Sequence, residues 1–436
     1  MTSTLPLRGW TTDPVERAAR ALDRSGFDPG SVPDAVVVAE SVDDVVALLR
    51  HAHGTRTPVV VRGAGSGLSG GAVAGAGTVV LDLSRLDRIT EISAEDELAV
   101  VEAGVVTAEL DAAAAAHGLR YAPDPASATI STIGGNIATN AGGLRCAKYG
   151  VTRDSVLGLD VVLADGRRIA TGRRTVKGVA GYDLTSLFVG SEGTLGVIVG
   201  ATVRLRPIPV ATATLAAWFA DFETAAAAAA AITAARLQPA VAELLDRTCL
   251  EAIGAVRTGA FLLVQTDGFG AQAEIDAVRA VVAPLADSVE LAADPGAAEE
   301  LLATRRAALP ALERLGRVLV EDVAVPRSRL PEAVAAIAEI SRRSGIRIAT
   351  MAHAGDGNLH PILVLDDEVD GHVWTTAGEV FTTALRLGGT LTGEHGVGLL
   401  KRRWLREELG DTAVDLQQDL KATFDPHRVL NPDKAL

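Results

Sequence analysis

Apolar residues recur along the chain at two periods. Over 13–26 and 42–53 they return at helical spacing, and Ser41 with Asp44 stands where a cap belongs, so both segments predict helices. Between them Ala35–Ala39 (AVVVA) predicts a short strand. Thr57–Arg62, Val79–Leu83 and Leu98–Glu102 predict three more strands, and the Ala-rich stretch Thr107–His117 predicts a helix. Val/Ile/Leu-rich strands at 157–163 and 195–205 close this series. After a break at Arg206–Pro209 (RPIP) the alternation resumes, with strands over 212–219, 260–266, 318–325 and 346–352 and helices over 222–236, 271–283 and 330–343. Strands and helices mixed in this order predict an α+β chain whose second half carries an antiparallel sheet.

Composition narrows the picture. A single core seldom grows past about 250–300 residues, so a chain of 436 residues implies two domains. Hydrophobic residues at 48% and charged residues at 22% are an ordinary globular balance. A net charge of -14 argues against nucleic acid, which needs clustered cations to displace counterions. The same charge requires a local cation for any anionic substrate. Cys146 and Cys249, far apart, are expected to be buried reduced thiols of a cytoplasmic protein. The opening MTSTLPLRGWTTDP lacks a basic start and an apolar run, and no stretch of about 18 apolar residues occurs, so neither a signal peptide nor a membrane span is expected. Peripheral contact with the inner face of a membrane stays open.

Two glycine-rich stretches carry the first chemistry. Arg62–Gly71 (RGAGSGLSGG) contains GxGxxG at Gly65, Gly67 and Gly70. A Rossmann site would open a helix after the third glycine, but here the chain runs on to the strand at Val79, so that reading is rejected. Residues free to adopt positive φ can still aim several backbone N–H groups at one pyrophosphate. Pro123–Gly143 (PDPASATISTIGGNIATNAGG) offers hydroxyls, amides and bare backbone suited to a buried polar ligand, and Val189–Gly200 (VGSEGTLGVIVG) turns into a strand.

These three segments, in this order over roughly residues 33–208, resemble the FAD-binding domain of the vanillyl-alcohol oxidase and p-cresol methylhydroxylase superfamily. The resemblance implies FAD contacts at Arg62, Gly63, Gly65, Ser66, Gly67, Leu68 and Ser69 in the first loop. In the second it implies Pro123, Asp124, Ser127, Thr132, Gly135, Asn136, Thr139 and Gly142, and in the third Glu192 and Ile198. Some members anchor flavin covalently through a histidine in the first loop. Ser66 stands near that place, so non-covalent FAD is expected.

A second constellation lies in the C-terminal half. In MAHAGDGNLHPIL (Met351–Leu363), Asp356-Gly357 is a favoured two-residue hairpin turn. That turn would set Gly355 opposite Asn358, Ala354 opposite Leu359 and His353 opposite His360, with both imidazoles on one sheet face. In LGGTLTGEHGVG (Leu387–Gly398), Glu394 and His395 are framed by glycines. Two histidines and a carboxylate suit Zn²⁺, and also Mn²⁺ or Fe²⁺, with positions left for substrate. That leaves His395 as a free base.

HAGDGNLHP, TGEHGVG, EDVAVPRSRLP and the terminal FDPHRVLNPDKAL together resemble the D-2-hydroxy-acid branch of the superfamily, the cytochrome-linked D-lactate dehydrogenases and the flavin subunit of glycolate oxidase. The resemblance implies a divalent metal on His353, His360 and Glu394, a catalytic base at His395, and a substrate carboxylate on Arg305 rather than Arg306 of ATRR. Asn358 is expected at the substrate and Asn431 at the cofactor. Relatives acting on D-2-hydroxyglutarate carry Lys-Tyr-Asp where this chain has Val320-Glu321-Asp322, which favours a monocarboxylate. The expected organisation is a two-subdomain FAD-binding domain of the p-cresol methylhydroxylase type over 1–208, an α+β substrate domain over 209–417, and a segment 418–436 returning to the first. The expected activity is oxidation of a small D-2-hydroxy acid to the 2-keto acid by hydride transfer to flavin N5. Electrons would pass on to a cytochrome, quinone, electron-transfer flavoprotein or oxygen, and a homodimer is the default assembly. A metal-independent alcohol or alditol oxidase of the same fold, and a non-catalytic flavin subunit, are the competing readings.

Overall fold

The computed structural model describes residues 8–366 and 369–436; the opening residues 1–7, on which the signal-peptide reading partly falls, lie outside them. The chain forms two compact units. One comprises Met1–Gly142, Val151–Ile208 and Glu394–Leu436, and the other Gly143–Gly150 and Pro209–Gly393.

The first unit holds two sheets. In one, the Val-rich strands Ala35–Val38, Val79–Asp82 and Val59–Arg62 run parallel, with Trp10–Thr11 antiparallel at the edge. Parallel strands need a crossover, and the helix Val42–Thr55 supplies it. Ser41 caps its first turn by accepting from Asp44 N, and the Asp44 carboxylate accepts in turn from Glu40 N. Its inward face of Val45, Leu48, Leu49 and Ala52 packs on Val37, Val59 and Leu81. Each fully buried leucine there stabilises the unit by about 1.5–3 kcal/mol. The other sheet is antiparallel, in the order 89–93, 98–102, 197–204, 156–162, 168–172.

Two local expectations change. The helix expected over 13–26 stops at Ala19, because the carbonyls that would continue it are taken elsewhere: Ala74 N donates to Ala21 O, and Arg62 Nη1 to Leu22 O. Within the polar stretch 123–143, Ile133–Thr139 is a helix. Its two glycines suppress the helical signal, but Thr132 caps the start and Asn140, in the left-handed region, ends it.

The second unit is built on an eight-stranded antiparallel sheet with helices on both faces. Helices Phe222–Ala234, Ala271–Val282 and Leu330–Ser344 pack together against the sheet. Arg247–Ala252, Pro295–Arg306 and Ala308–Glu313 contribute Cys249, Leu250, Leu302, Ala308 and Leu312 to a separate core with Leu245, Phe261, Leu263, Met351 and Ile362. The strand expected over 318–325 is two, Arg317–Val320 and Val323–Ala324, both paired with Asn358–Leu365. Glu321 and Asp322 form the break between them. The short helix Cys146–Tyr149 belongs to this unit, tied in by Lys148 Nζ and Tyr149 Oη on the Asp267 carboxylate. Neither cysteine forms a disulfide; Cys249 is buried, but Cys146 is only half-buried, contrary to the expectation for it. Among the described residues no helix is long and apolar enough to cross a membrane.

Asp246 caps the helix Arg247–Ala252 and also accepts from Thr350 N at 2.7 Å. Burial pushes its carboxyl up to about 6, above the roughly 3.9 of an unfolded chain. The folded state therefore holds this proton more tightly, and the stabilisation it brings is full below about pH 4 and lost as pH rises through 6. Compared with an Asp246→Asn variant, the parent protein should gain about 1 kcal/mol as pH falls from 7 to 5, read as a changing gap between their unfolding midpoints. A gap that stays constant with pH would refute the shift.

Candidate active site

In the first unit, the strand Val59–Arg62 delivers the chain into the loop 63–71. Gly65 and Gly70 there take φ of +68° and +80°, conformations costly for any residue with a Cβ. The loop touches the second glycine-rich segment: a Cβ at Gly63 would lie 2.4 Å from Thr132 Oγ1. The Arg62 guanidinium folds back over Gly65, and burial holds it below its ordinary pKa. Among the described residues, none of the backbone N–H groups of Ala64–Gly71 is spent on another group of the chain. A row of unspent donors beside a guanidinium fits a pyrophosphate.

The other expected cofactor residues divide by what already occupies them. Thr132 caps its helix through Gly135 N, Thr139 Oγ1 donates to Gly135 O, and Asn136 Nδ2 donates to Thr107 Oγ1. Ser127 O closes the turn before them by accepting from Ser131 N. Pro123 is buried, whereas Asp124, Ser66, Gly67 and Leu68 are half-buried. Ile198 lies in the core of the antiparallel sheet. Asn431 staples the loops together, accepting from Val61 N at 2.8 Å and donating to Glu192 O at 2.6 Å. Ser191 Oγ, beside Glu192, is buried with no hydrogen-bond partner among the described residues. Such an orphan fits a polar ligand completing the site.

Glu192 and Ser69 hold the segment that carries Glu394 and His395. The Glu192 carboxylate accepts from Val397 N at 2.8 Å and Gly398 N at 2.9 Å, and burial raises its pKa. Ser69 Oγ donates to Gly396 O at 2.8 Å. Gly142 is needed where it stands, since a Cβ there would lie 2.4 Å from Glu394 Oε2. His395 Nε2 lies 3.8 Å from Glu394 Oε1, and both side chains are partly exposed.

In the second unit, the hairpin of Arg347–His353 and Asn358–Leu365 has a register different from the expected one. His353 faces Asn358, and Met351 faces His360. The loop is thus the four residues Ala354–Gly357 rather than the two residues Asp356-Gly357. Gly357 at φ +89° packs against Val325 O, which favours the wider turn. The slip is by two residues, so it preserves the sheet face, whereas a slip of one would reverse it. His353 and His360 become diagonal neighbours on one face, with ring centroids 5.0 Å apart.

The same face holds residues that sequence reasoning missed. Glu243, opposite His353 on the strand Val241–Leu245, is fully buried. Its Oε1 lies 2.7 Å from His353 Nδ1 and its Oε2 accepts from Arg305 Nε at 2.7 Å. Asp322, also fully buried, lies 3.8 Å from His360 Nδ1 and accepts from Thr392 Oγ1 at 2.7 Å. Arg305 points inward, while Arg306 is exposed and paired with Glu299. Asn358 Oδ1 is buried without a hydrogen-bond partner among the described residues, and Gly393 packs against that amide. Carboxylates behind two imidazoles, with an orphan oxygen beside them, fit a divalent metal: such partners fix a ligating histidine's tautomer and raise its basicity. A charge in the middle of the apolar run VAELL was the available signal for Glu243.

Residues 33–172 match the family model for an FAD binding domain, and 208–435 match that for FAD linked oxidases, C-terminal domain. The chain belongs to the FAD-linked oxidases. It is 43% identical over 419 residues to the glycolate oxidase subunit GlcD of Bacillus subtilis, covering 93% of this chain and 89% of that protein. A D-lactate dehydrogenase of Archaeoglobus fulgidus is 36% identical over 410 residues, covering 92% of this chain and 91% of the relative. The fold matches p-cresol methylhydroxylase with a TM-score of 0.80 at 15% identity, over 98% of this chain and 93% of that one. The protein is accordingly an FAD-dependent oxidoreductase with the fold of that superfamily.

Glu192→Ala should remove two charge-assisted bonds and leave two backbone N–H groups unpaired, at a cost of about 2–4 kcal/mol. The expected outcome is a lower unfolding midpoint in urea together with weaker FAD retention through gel filtration. A variant as stable as the parent would show that Glu192 does not secure this segment.

Proposed function

We propose that the protein oxidises a small D-2-hydroxy acid, of the D-lactate or glycolate type, to the 2-keto acid. Non-covalent FAD would be bound by the loops of the first unit, and a divalent metal, zinc or alternatively manganese or iron, by His353, His360 and Glu394. The observation that carries this reading is the face on which His353, His360, Asn358 and Arg305 gather over buried carboxylates. Glu394 as third ligand rests on the resemblance, supported by chain continuity: it directly follows Gly393, which packs on Asn358. The names of the relatives, a glycolate oxidase subunit and a D-lactate dehydrogenase, support the substrate class.

When bound, FAD supplies the hydride acceptor, and the metal supplies Lewis acidity toward the hydroxyl. The residues do the rest. Arg305 pairs with the substrate carboxylate through its terminal nitrogens, since its Nε is taken by Glu243. Asn358 offers its amide to the substrate's polar atoms. His395 takes the hydroxyl proton on a ring nitrogen as the Cα hydride leaves, a task suited to an imidazole. Val320 stands where the relatives acting on D-2-hydroxyglutarate carry a lysine, so a cation for a second substrate carboxylate is missing from that position. D-lactate or glycolate should therefore be used with a kcat/KM at least about tenfold above that of D-2-hydroxyglutarate.

His395→Ala should keep FAD but slow flavin reduction by D-lactate or glycolate by about 10²-fold or more, measured by anaerobic stopped flow at 450 nm or thereabouts. A variant reducing at the parent rate would remove His395 from the role of base.

A further inference from the structure

A buried carboxylate is expensive unless it is fully paired, and an apolar replacement is often tolerated or stabilising. Glu243 nevertheless stands fully buried in a strand whose neighbours Val241, Ala242, Leu244 and Leu245 are all apolar and buried. Its two oxygens are divided between two different groups. Oε1 holds His353 Nδ1 at 2.7 Å and Oε2 holds Arg305 Nε at 2.7 Å. The strand register brings this about, because Glu243 and His353 are directly opposed partners, while Arg305 descends on the same face from the helix Pro295–Arg306.

We infer that Glu243 is a positioning residue which sets the metal ligand and the substrate anchor with one carboxylate. The inference rests on the proposed roles of His353 and Arg305. A carboxylate already paired with a guanidinium accepts hydrogen bonds and does not donate them, so the His353 proton sits on Nδ1. Nε2 is then the nitrogen whose lone pair can bind a metal, and the partner carboxylate raises its basicity. On the other side, Arg305 gives Nε to Glu243 while Nη1 rests 3.3 Å from Met351 Sδ. The guanidinium plane is thereby fixed, and the terminal nitrogens keep N–H groups for an incoming carboxylate. Metal and substrate would thus be seated from one point, so damage there should appear in both bindings at once.

Glu243→Gln tests this directly. A glutamine has a single acceptor oxygen and can serve His353 or Arg305, not both. In the metal-stripped flavoprotein, Zn²⁺ affinity by isothermal titration calorimetry should fall about 10–100-fold, and KM for D-lactate or glycolate should rise severalfold, more than kcat falls. A purely structural role would lower the melting temperature and leave Zn²⁺ affinity and KM at parent values, and that result overturns the inference. Should Glu243→Gln not fold, the double variant Glu243→Leu/Arg305→Leu replaces the ion pair by apolar side chains and still strips His353 of its acceptor. Its Zn²⁺ affinity should drop by the same factor, and parent-like affinity would overturn the inference. A parent protein that binds none of Zn²⁺, Mn²⁺ and Fe²⁺ would overturn the metal reading itself, and with it the role given to Glu243; a parent that binds one of them and a variant that matches it would sink the role alone.

Discussion

The second unit is organised by the need to match charge inside an apolar sheet face. Two imidazoles, a guanidinium and two carboxylates are withdrawn from water there, and each cation-capable group has an acid against it. Removing one partner from such a set costs roughly 3–5 kcal/mol, because the other is left buried and uncompensated. The strands must therefore keep one register. The hairpin loop Ala354–Gly357, the break at Glu321–Asp322 and the inward turn of Arg305 all serve that register. The same face has little room for variation, and it is where the chemistry is assigned.

The first unit answers a different requirement. Its first glycine-rich loop keeps the backbone N–H groups of Ala64–Gly71 unspent among the described residues, and it is held from behind by side chains engaged elsewhere in the unit. Asn431 binds the end of the first strand-loop junction and the turn at Glu192, and Glu192 in turn holds Val397 and Gly398. Ser69, expected at the cofactor, uses its hydroxyl on Gly396 O. The residues expected at the cofactor and those that form the scaffold are thus interleaved within the same short motifs. That explains why motif residues do two kinds of work.

Much of this was legible in the sequence where pattern and physics agree. The Val-rich strands, the helix Val42–Thr55 with its Ser41 cap, and the glycine loop that runs into a strand instead of a helix all follow from local spacing and cap chemistry. What escaped depends on tertiary contacts. The helix Ile133–Thr139 hides behind its glycines, and the helix from Pro14 ends early because Arg62 and Ala74 claim the next carbonyls. The hairpin register was placed two residues away, since Asp-Gly is a strong local turn signal and the contact between Gly357 and Val325 O is invisible locally. The face of the two histidines was nevertheless recovered, because a two-residue slip conserves it. Glu243 and Asp322 carry no motif of their own and emerge only as partners.

The central claim is that flavin reduction by a D-2-hydroxy acid depends on a metal held at this histidine face. The direct measurement compares the purified FAD-loaded protein before and after dialysis against a chelator, anaerobically, by following loss of the flavin absorbance on adding D-lactate or glycolate. The account predicts bleaching by one of these acids in the metal-replete protein, its loss after chelation, and its return on adding Zn²⁺ or Mn²⁺. Bleaching that survives complete removal of metal would contradict the account and favour a metal-independent alcohol oxidase on the same fold.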